Sequence, residues 1–178
     1  MRSRGLPVSD VSEEIVRSWL MSRGYFVLQG VRFKGQGELD FLAVRFEGDK
    51  VEERWHVEVN MSANPVTSLG QKQAGEGTDP KQGVESYIER KFLQAKTIKA
   101  VANVFGTENY RRMLVLGNVN NESTVLRACN RASITVVRTW KVLREVRQRR
   151  GRWLTSEGRR FSEFLQLAKQ GRNVPKFK

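Results

Sequence analysis

The stretch from Gly37 to Asn60 constrains this chain more than any other. It reads Gly37-Glu38-Leu39-Asp40, an apolar run Phe41-Leu42-Ala43-Val44, a polar turn Glu47-Gly48-Asp49-Lys50, then Trp55-His56-Val57-Glu58-Val59-Asn60. Apolar runs on either side of such a turn predict an antiparallel hairpin, its second strand covering roughly 53–61. Alternation sets Val57 and Val59 on one face and His56, Glu58 and Asn60 on the other. Each strand thus carries an acid where a half-buried strand ordinarily carries Val or Ile. A buried carboxylate is costly without a partner, and two that converge repel each other, so a divalent cation is the partner they imply.

The flanking sequence alternates helical and extended patterns. Ser9, Asp10 and Ser12 are N-cap candidates, and Glu13 follows Asp10 in capping-box spacing. Ile15, Val16, Trp19 and Leu20 recur at helical spacing up to Gly24, with Glu14 at the edge of their face. A first strand is expected from Tyr25 toward Arg32 or Phe33, and residues 61–80 read as a long loop leaving the acid-bearing strand. One long helix is expected from Pro80 to Phe105, with the stripe Val84, Tyr87, Ile88, Ala95, Ile98, Ala102 and Phe105. Lys91 falls near the middle of that stripe. Its ammonium either snorkels to water or is aimed at something negative beside the sheet. Strands at 112–117 and 134–137 with a helix at 122–131 complete an α/β fold, a mixed sheet flanked by helices. Lys141 to Lys178 reads as two basic helices. The expected division is a domain over 1–140 and a basic helical C-terminal extension over 141–178 packed on it.

Charge is uneven along the chain. Residues 131–178 hold 14 Lys and Arg against 3 Asp and Glu, a balance of +11 out of the total of +13. So one-sided a segment points to a polyanion, nucleic acid before an anionic membrane surface. Arg147, Arg149, Arg150, Arg152, Arg159 and Arg160 are the expected phosphate contacts, giving affinity without sequence choice. No run approaches the roughly 20 apolar residues of a membrane span. The single cysteine, Cys129, allows no internal disulfide, so a cytoplasmic protein is expected, associated with the nucleoid if the source is prokaryotic. One His and one Cys cannot build a zinc site, and Gly75-Glu76-Gly77 is no phosphate-binding loop. His56 reads as a strand histidine packed under the hairpin, and Trp140 as a core residue.

Hydrolysing a phosphodiester requires positive charge around a phosphorus that grows more negative as the nucleophile arrives, which Mg²⁺ or Mn²⁺ held by carboxylates supplies. Asp40 and Glu58 can each give one oxygen, with the Val59 carbonyl as a third ligand. Here a resemblance enters. A helix with an acid, a Gly-x-x-Asp strand, a second acid-bearing strand after a hairpin, then a helix and a strand resembles the PD-(D/E)XK nuclease superfamily. The closest flavour is the restriction-endonuclease-like and Holliday-junction-resolvase-like branch, over roughly residues 9–119. The resemblance implies an αβββαβ core, Asp40 and Glu58 on metal, Glu14 as the helix acid that often joins them, and a lysine two residues after the glutamate. That position is Asn60 here, whose amide can orient a water or donate to a phosphate but brings no charge. Lys91 is the first candidate to replace the lysine, with Lys72 and Lys81 second. Gln82 and Tyr87 are similar to a Gln-x-x-x-Tyr motif of part of the superfamily, one residue too far apart.

The resulting expectation is a metal-dependent DNA endonuclease acting on duplex or branched DNA, as a homodimer so that both strands are cut. The alternatives are a DNA-binding member without catalysis and an RNA-binding or scaffolding module that uses the basic tail.

Overall fold

The computed structural model describes residues 8–33, 37–61, 69 and 80–148. Element order is α1 (Val8–Ser22), β1 (Phe26–Phe33), β2 (Gly37–Glu47), β3 (Lys50–Asn60), α2 (Pro80–Ile88), a π turn (Glu89–Leu93), α3 (Ala95–Phe105), β4 (Arg111–Leu116), α4 (Glu122–Arg131), β5 (Ile134–Arg138) and α5 (Thr139–Gln148). From α1 to β4, with α2, the π turn and α3 taken as one helical segment, the elements follow the α-β-β-β-α-β order read from the sequence.

The five strands form one sheet in the order β1-β2-β3-β4-β5. β1, β2 and β3 are antiparallel neighbours, whereas β3, β4 and β5 run parallel. The hairpin closes on Glu47↔Lys50, so β3 begins three residues before its expected start. Parallel neighbours need crossovers, and two right-handed crossovers advancing in one direction put their helices on the same face. That face carries α2, the π turn, α3 and α4. α2 and α4 meet the sheet through Val84, Tyr87, Ile88, Val125 and Cys129 against Leu114 and Leu116. The opposite face takes α1 and α5, whose Ile15, Val16, Trp19, Val142 and Val146 pack on Phe41, Ala43, Val57 and Val115.

Three sequence expectations change. α1 starts at Val8, so Ser9, Asp10 and Ser12 lie inside the helix rather than capping it. Its C-terminus behaves as read: Gly24 N–H donates to the Met21 carbonyl and Tyr25 N–H to that of Leu20, a paired closure past the last turn. Of the expected extension only residues 141–148 are described, and they pack on the main core. Val142 and Val146 are 0% and 1% exposed in the main core, and Glu145 accepts hydrogen bonds from Trp19 at 2.9 Å and Arg23 at 2.8 Å. Two buried valines contribute about 1.5–3 kcal/mol each, enough to make α5 part of the domain. Trp140 is not core but exposed, with the Arg144 guanidinium 4.9 Å from its ring centre.

The expected helix from Pro80 to Phe105 is two helices. Gln94 N–H donates to the Glu89 carbonyl five residues back, and Gln94 itself is extended at φ −55°, ψ 132°. The extra residue in that turn rotates everything after it, so Phe92, Thr97 and Val101 are buried while Ala95 is exposed. Periodicity drawn straight through the stretch misses a one-residue insertion.

Candidate active site

Asp40 lies on β2 and Glu58 on β3, and the hairpin register sets them opposite each other. Leu42 pairs with His56 and Phe41 with Val57, so the next step brings Asp40 level with Glu58, side chains on the α2 face of the sheet. On the other flank, Gln29↔Phe41 and Val31↔Leu39 put Gly30 level with Asp40. Gly30 has φ +65° and presents no side chain beside the carboxylate. At Gly37 a Cβ would run into the ring of Phe33, its partner across the β1–β2 pair, so any larger residue there makes that ring move.

The Val59 N–H donates to Asp40 Oδ2 at 2.7 Å, which fixes the carboxylate against β3. Asn60 gives its carbonyl to Gly117 N–H at 2.8 Å on the β4 side. Successive carbonyls of a strand point in opposite directions, so that of Val59 points toward β2 and Asp40.

Lys91 completes the group. Its Nζ lies 3.4 Å from Asp40 Oδ1 and makes a close ion pair with Glu58 Oε2. It reaches the strands from the π turn, which redirects its side chain from the stripe onto the carboxylates. Tyr87, one helical turn earlier, is buried beside the Asn60 side chain, and burial with the charges of Glu58 and Asp40 holds its hydroxyl well above the usual value. The residue two after Glu58 thus lies against α2, the same segment that delivers the lysine. Sequence reasoning undervalued Tyr87; its place four residues before Lys91 on one helical face was the available signal.

Burial dominates the electrostatics. The Glu58 side chain is 0% exposed and that of Asp40 16%. Burial and the neighbouring Glu58 push the Asp40 carboxyl up to about 6, against the pull of Lys91 and the Val59 amide. Glu58 is also raised, by burial, with Lys91 opposing. Burial draws the Lys91 ammonium down, but the two carboxylates outweigh it and hold the group above its usual value. The Glu58 charge is the second cause of the rise at Asp40, so the two acids do not titrate independently. With both ionised, two acids and one lysine leave one negative charge.

His56 lies beneath Glu58 on the same strand face, 0% exposed. Burial, with Lys91 and Arg112 adding, lowers its pKa to about 3, so the ring is neutral at pH 7. Its Nε2 sits 2.9 Å from Glu58 Oε1, and a neutral ring bonded there carries its proton on Nε2 and donates to the carboxylate. Phe92 packs 5.1 Å from the imidazole centre. His56→Leu is therefore expected to lower stability by about 1–3 kcal/mol through the lost donor, and His56→Gln, which offers an N–H, to recover most of it in denaturant melts. Equal losses in both variants would reduce His56 to a packing residue.

The remaining sequence candidates are placed as follows. Glu14 pairs with Arg17 on its own helix at 3.6 Å rather than joining the two acids. α1 approaches the end of β3 through Ser12, whose hydroxyl donates to the Met61 carbonyl at 3.2 Å. Lys81 lines a depression beside α4, away from the acid pair, and Gln82 is exposed. Arg147 is exposed on α5, which covers the opposite face of the sheet. Lys72, Arg149, Arg150, Arg152, Arg159 and Arg160 lie outside the described residues.

Among the described residues no group of three or more His, Cys, Asp and Glu side chains gathers as a metal cage. What is present is two converging carboxylates, an adjacent main-chain carbonyl, and a Glu58 Oε2 that faces Lys91 as an ion pair outside hydrogen-bond geometry. That donor set fits Mg²⁺, which is commonly held by one or two carboxylates and completes its shell with water and substrate phosphate.

No described helix is long and apolar enough to cross a membrane. No protein-family profile matches the chain, and no curated protein does. Among solved structures, the chain is similar to one titled as the crystal structure of a protein of unknown function, AF1548, at 18% identity and a TM-score of 0.46. The match covers 72% of this chain and 56% of that one. What the fold amounts to here is an α/β domain with a five-stranded mixed sheet between two helical layers.

Proposed function

We propose that this protein is a metal-dependent endonuclease that hydrolyses phosphodiester bonds of DNA. The observation that carries the reading is the Lys91 ammonium seated against both Asp40 and Glu58. A nuclease of this type needs a cation beside its metal ligands, and the position that resembles the usual one holds Asn60. A lysine delivered from the π turn supplies that charge from the opposite direction.

Asp40, Glu58 and the Val59 carbonyl would hold Mg²⁺ or Mn²⁺, whose role is to lower the pKa of a bound water and neutralise charge on the phosphate. Asp40 is held by the Val59 amide and Glu58 by His56, so both donors are fixed before substrate arrives. Lys91 supports the phosphate oxygens as negative charge builds on them, and Asn60, beside Tyr87, donates or accepts for the attacking water.

A plasmid-nicking assay with Mg²⁺ or Mn²⁺ tests this. Asp40→Ala, Glu58→Ala and Lys91→Ala are each expected to cut at least about 100-fold more slowly, the usual loss on removing one preorganised electrostatic group. Asn60→Lys is expected to retain cleavage. The absence of nicking by the unsubstituted protein with either metal sinks the proposal.

One observation favours a second reading, a DNA-binding protein without catalysis: Lys91 already pairs with both acids and neutralises one of their two charges without any metal. Cleavage separates the two, because the binding protein would hold duplex DNA and leave it intact.

A further inference from the structure

α4 is amphipathic in an informative way. Val125, Ala128 and Cys129 are buried toward the sheet, while Arg127, Asn130 and Arg131 are exposed on the outer side. α2 lies beside it, and between the two helices is an open depression of about 410 Å³ lined by Lys81, Thr124, Arg127, Asn130 and Arg131. Three of those residues are cationic, the other two carry neutral hydrogen-bonding groups, and none is acidic. Among the described residues Glu85, one turn after Lys81, pairs with Arg131 at 3.0 Å. Both side chains are at least half exposed, at 63% for Arg131 and 50% for Glu85. An exposed pair of this kind holds only about 0–1 kcal/mol, so a phosphate can replace the carboxylate.

From Thr124 to Arg131 is about 10 Å of helix, which spans at least two successive phosphates at about 3.4 Å of rise per nucleotide of one strand. The described lining residues include no aromatic side chain, and cations without a stacking platform make their contact with the backbone. The depression also lies on the face of the sheet that carries the acid pair. α2 serves both places, presenting Lys81 to the depression and Tyr87 to Asn60. Arg147, by contrast, lies in the layer on the other face.

We propose that the α2–α4 depression binds the phosphate backbone of duplex DNA, with Lys81, Arg127 and Arg131 as the cationic contacts and Glu85 as a competing anion that Arg131 must release. This rests on the nuclease reading for the identity of the polyanion. It commits the substrate path to the α2–α4 side of the molecule.

Fluorescence anisotropy with a labelled DNA duplex, in EDTA to prevent cutting, tests it across a salt series. The triple variant Lys81→Ala/Arg127→Ala/Arg131→Ala is expected to bind at least tenfold more weakly at fixed salt. The slope of log K against log salt should flatten by about 2–3, at about 0.9 for each phosphate no longer neutralised. Glu85→Gln is expected to tighten binding at least twofold, while Glu108→Gln, which changes net charge equally on an exposed loop, leaves it unchanged. Circular dichroism and melting must show the triple variant folded; Glu85→Gln alone decides the matter if it is not. Affinity and slope that stay at the unsubstituted values in the variants overturn this site and leave the nuclease reading standing. Failure of the unsubstituted protein to bind the duplex overturns both.

Discussion

Lys91→Met is expected to lower the unfolding midpoint at pH 7 by about 10 °C, taking about 3 kcal/mol for the loss of one partner from a buried ion group and about 2–4 °C per kcal/mol for a chain of this size. The low end of the energy range applies because the Lys91 side chain remains 25% exposed. Methionine keeps the length of the stem and removes only the charge. Asp40 and Glu58 then face each other with nothing between them, and the cheapest response is for one to take up a proton. The deficit should therefore be largest above pH 7 and shrink toward pH 5, where one acid is protonated at little cost. Mg²⁺ or Mn²⁺ should restore part of the midpoint in this variant more strongly than in the parent, since the ion then has no ammonium to displace. A deficit that ignores both pH and divalent ions would mean that Lys91 contributes packing rather than charge.

Why Lys91 was readable at all, and why its route was not, follows from what a linear pattern carries. A lysine inside an apolar stripe is a conflict between charge and burial that needs only the sequence to see. The hairpin was equally legible from the Gly-Asp turn between alternating strands, but its register was not: continued from Glu47↔Lys50 it would set Asp40 level with Val57, and the bulge between Arg45 and Phe46 shifts it by one residue to Glu58. The π turn was not, since a one-residue insertion leaves the residues of the stripe unchanged and alters only which of them face inward. Tyr87 was legible only as part of the stripe and of a mis-spaced motif, because Asn60 belongs to a different element and no local period links a strand end to a helix formed twenty or more residues later. α5 was read as part of a basic tail because Lys141, Arg144 and Arg147 stand against a single acid, Glu145, though Val142 and Val146 decide where it packs. The tie between His56 and Glu58 could have been anticipated. Two polar residues alternating on one buried strand face have few partners other than each other.

Asp40→Asn is expected to become more stable relative to the parent as pH rises from 4 to 7, by about 3 kcal/mol in total. The folded Asp40 carboxyl sits at about 6 against an ordinary 3.8, so the folded state binds this proton more tightly than the unfolded chain does. Between those two values the folded state holds more protons, and stability falls as pH rises, at about 1.36 kcal/mol for each of roughly two pH units. Asparagine keeps the shape, cannot ionise and escapes that loss. Glu58, raised in the same direction, adds to the trend in both proteins. His56 acts oppositely: depressed to about 3, it makes the folded state bind fewer protons than the unfolded chain below about 6.5, so its contribution grows with pH. The parent's own pH curve sums these opposing slopes, which is why the measurement is the difference between two chemical melts at each pH. Added Mg²⁺ should narrow that difference above pH 6, because the ion binds the ionised pair and stabilises the parent by mass action. A difference that stays flat from pH 4 to 7 would show that Lys91 fully offsets the burial of Asp40. Both acids would then be ionised at pH 7 and, with one lysine, would still leave one negative charge to draw a second cation.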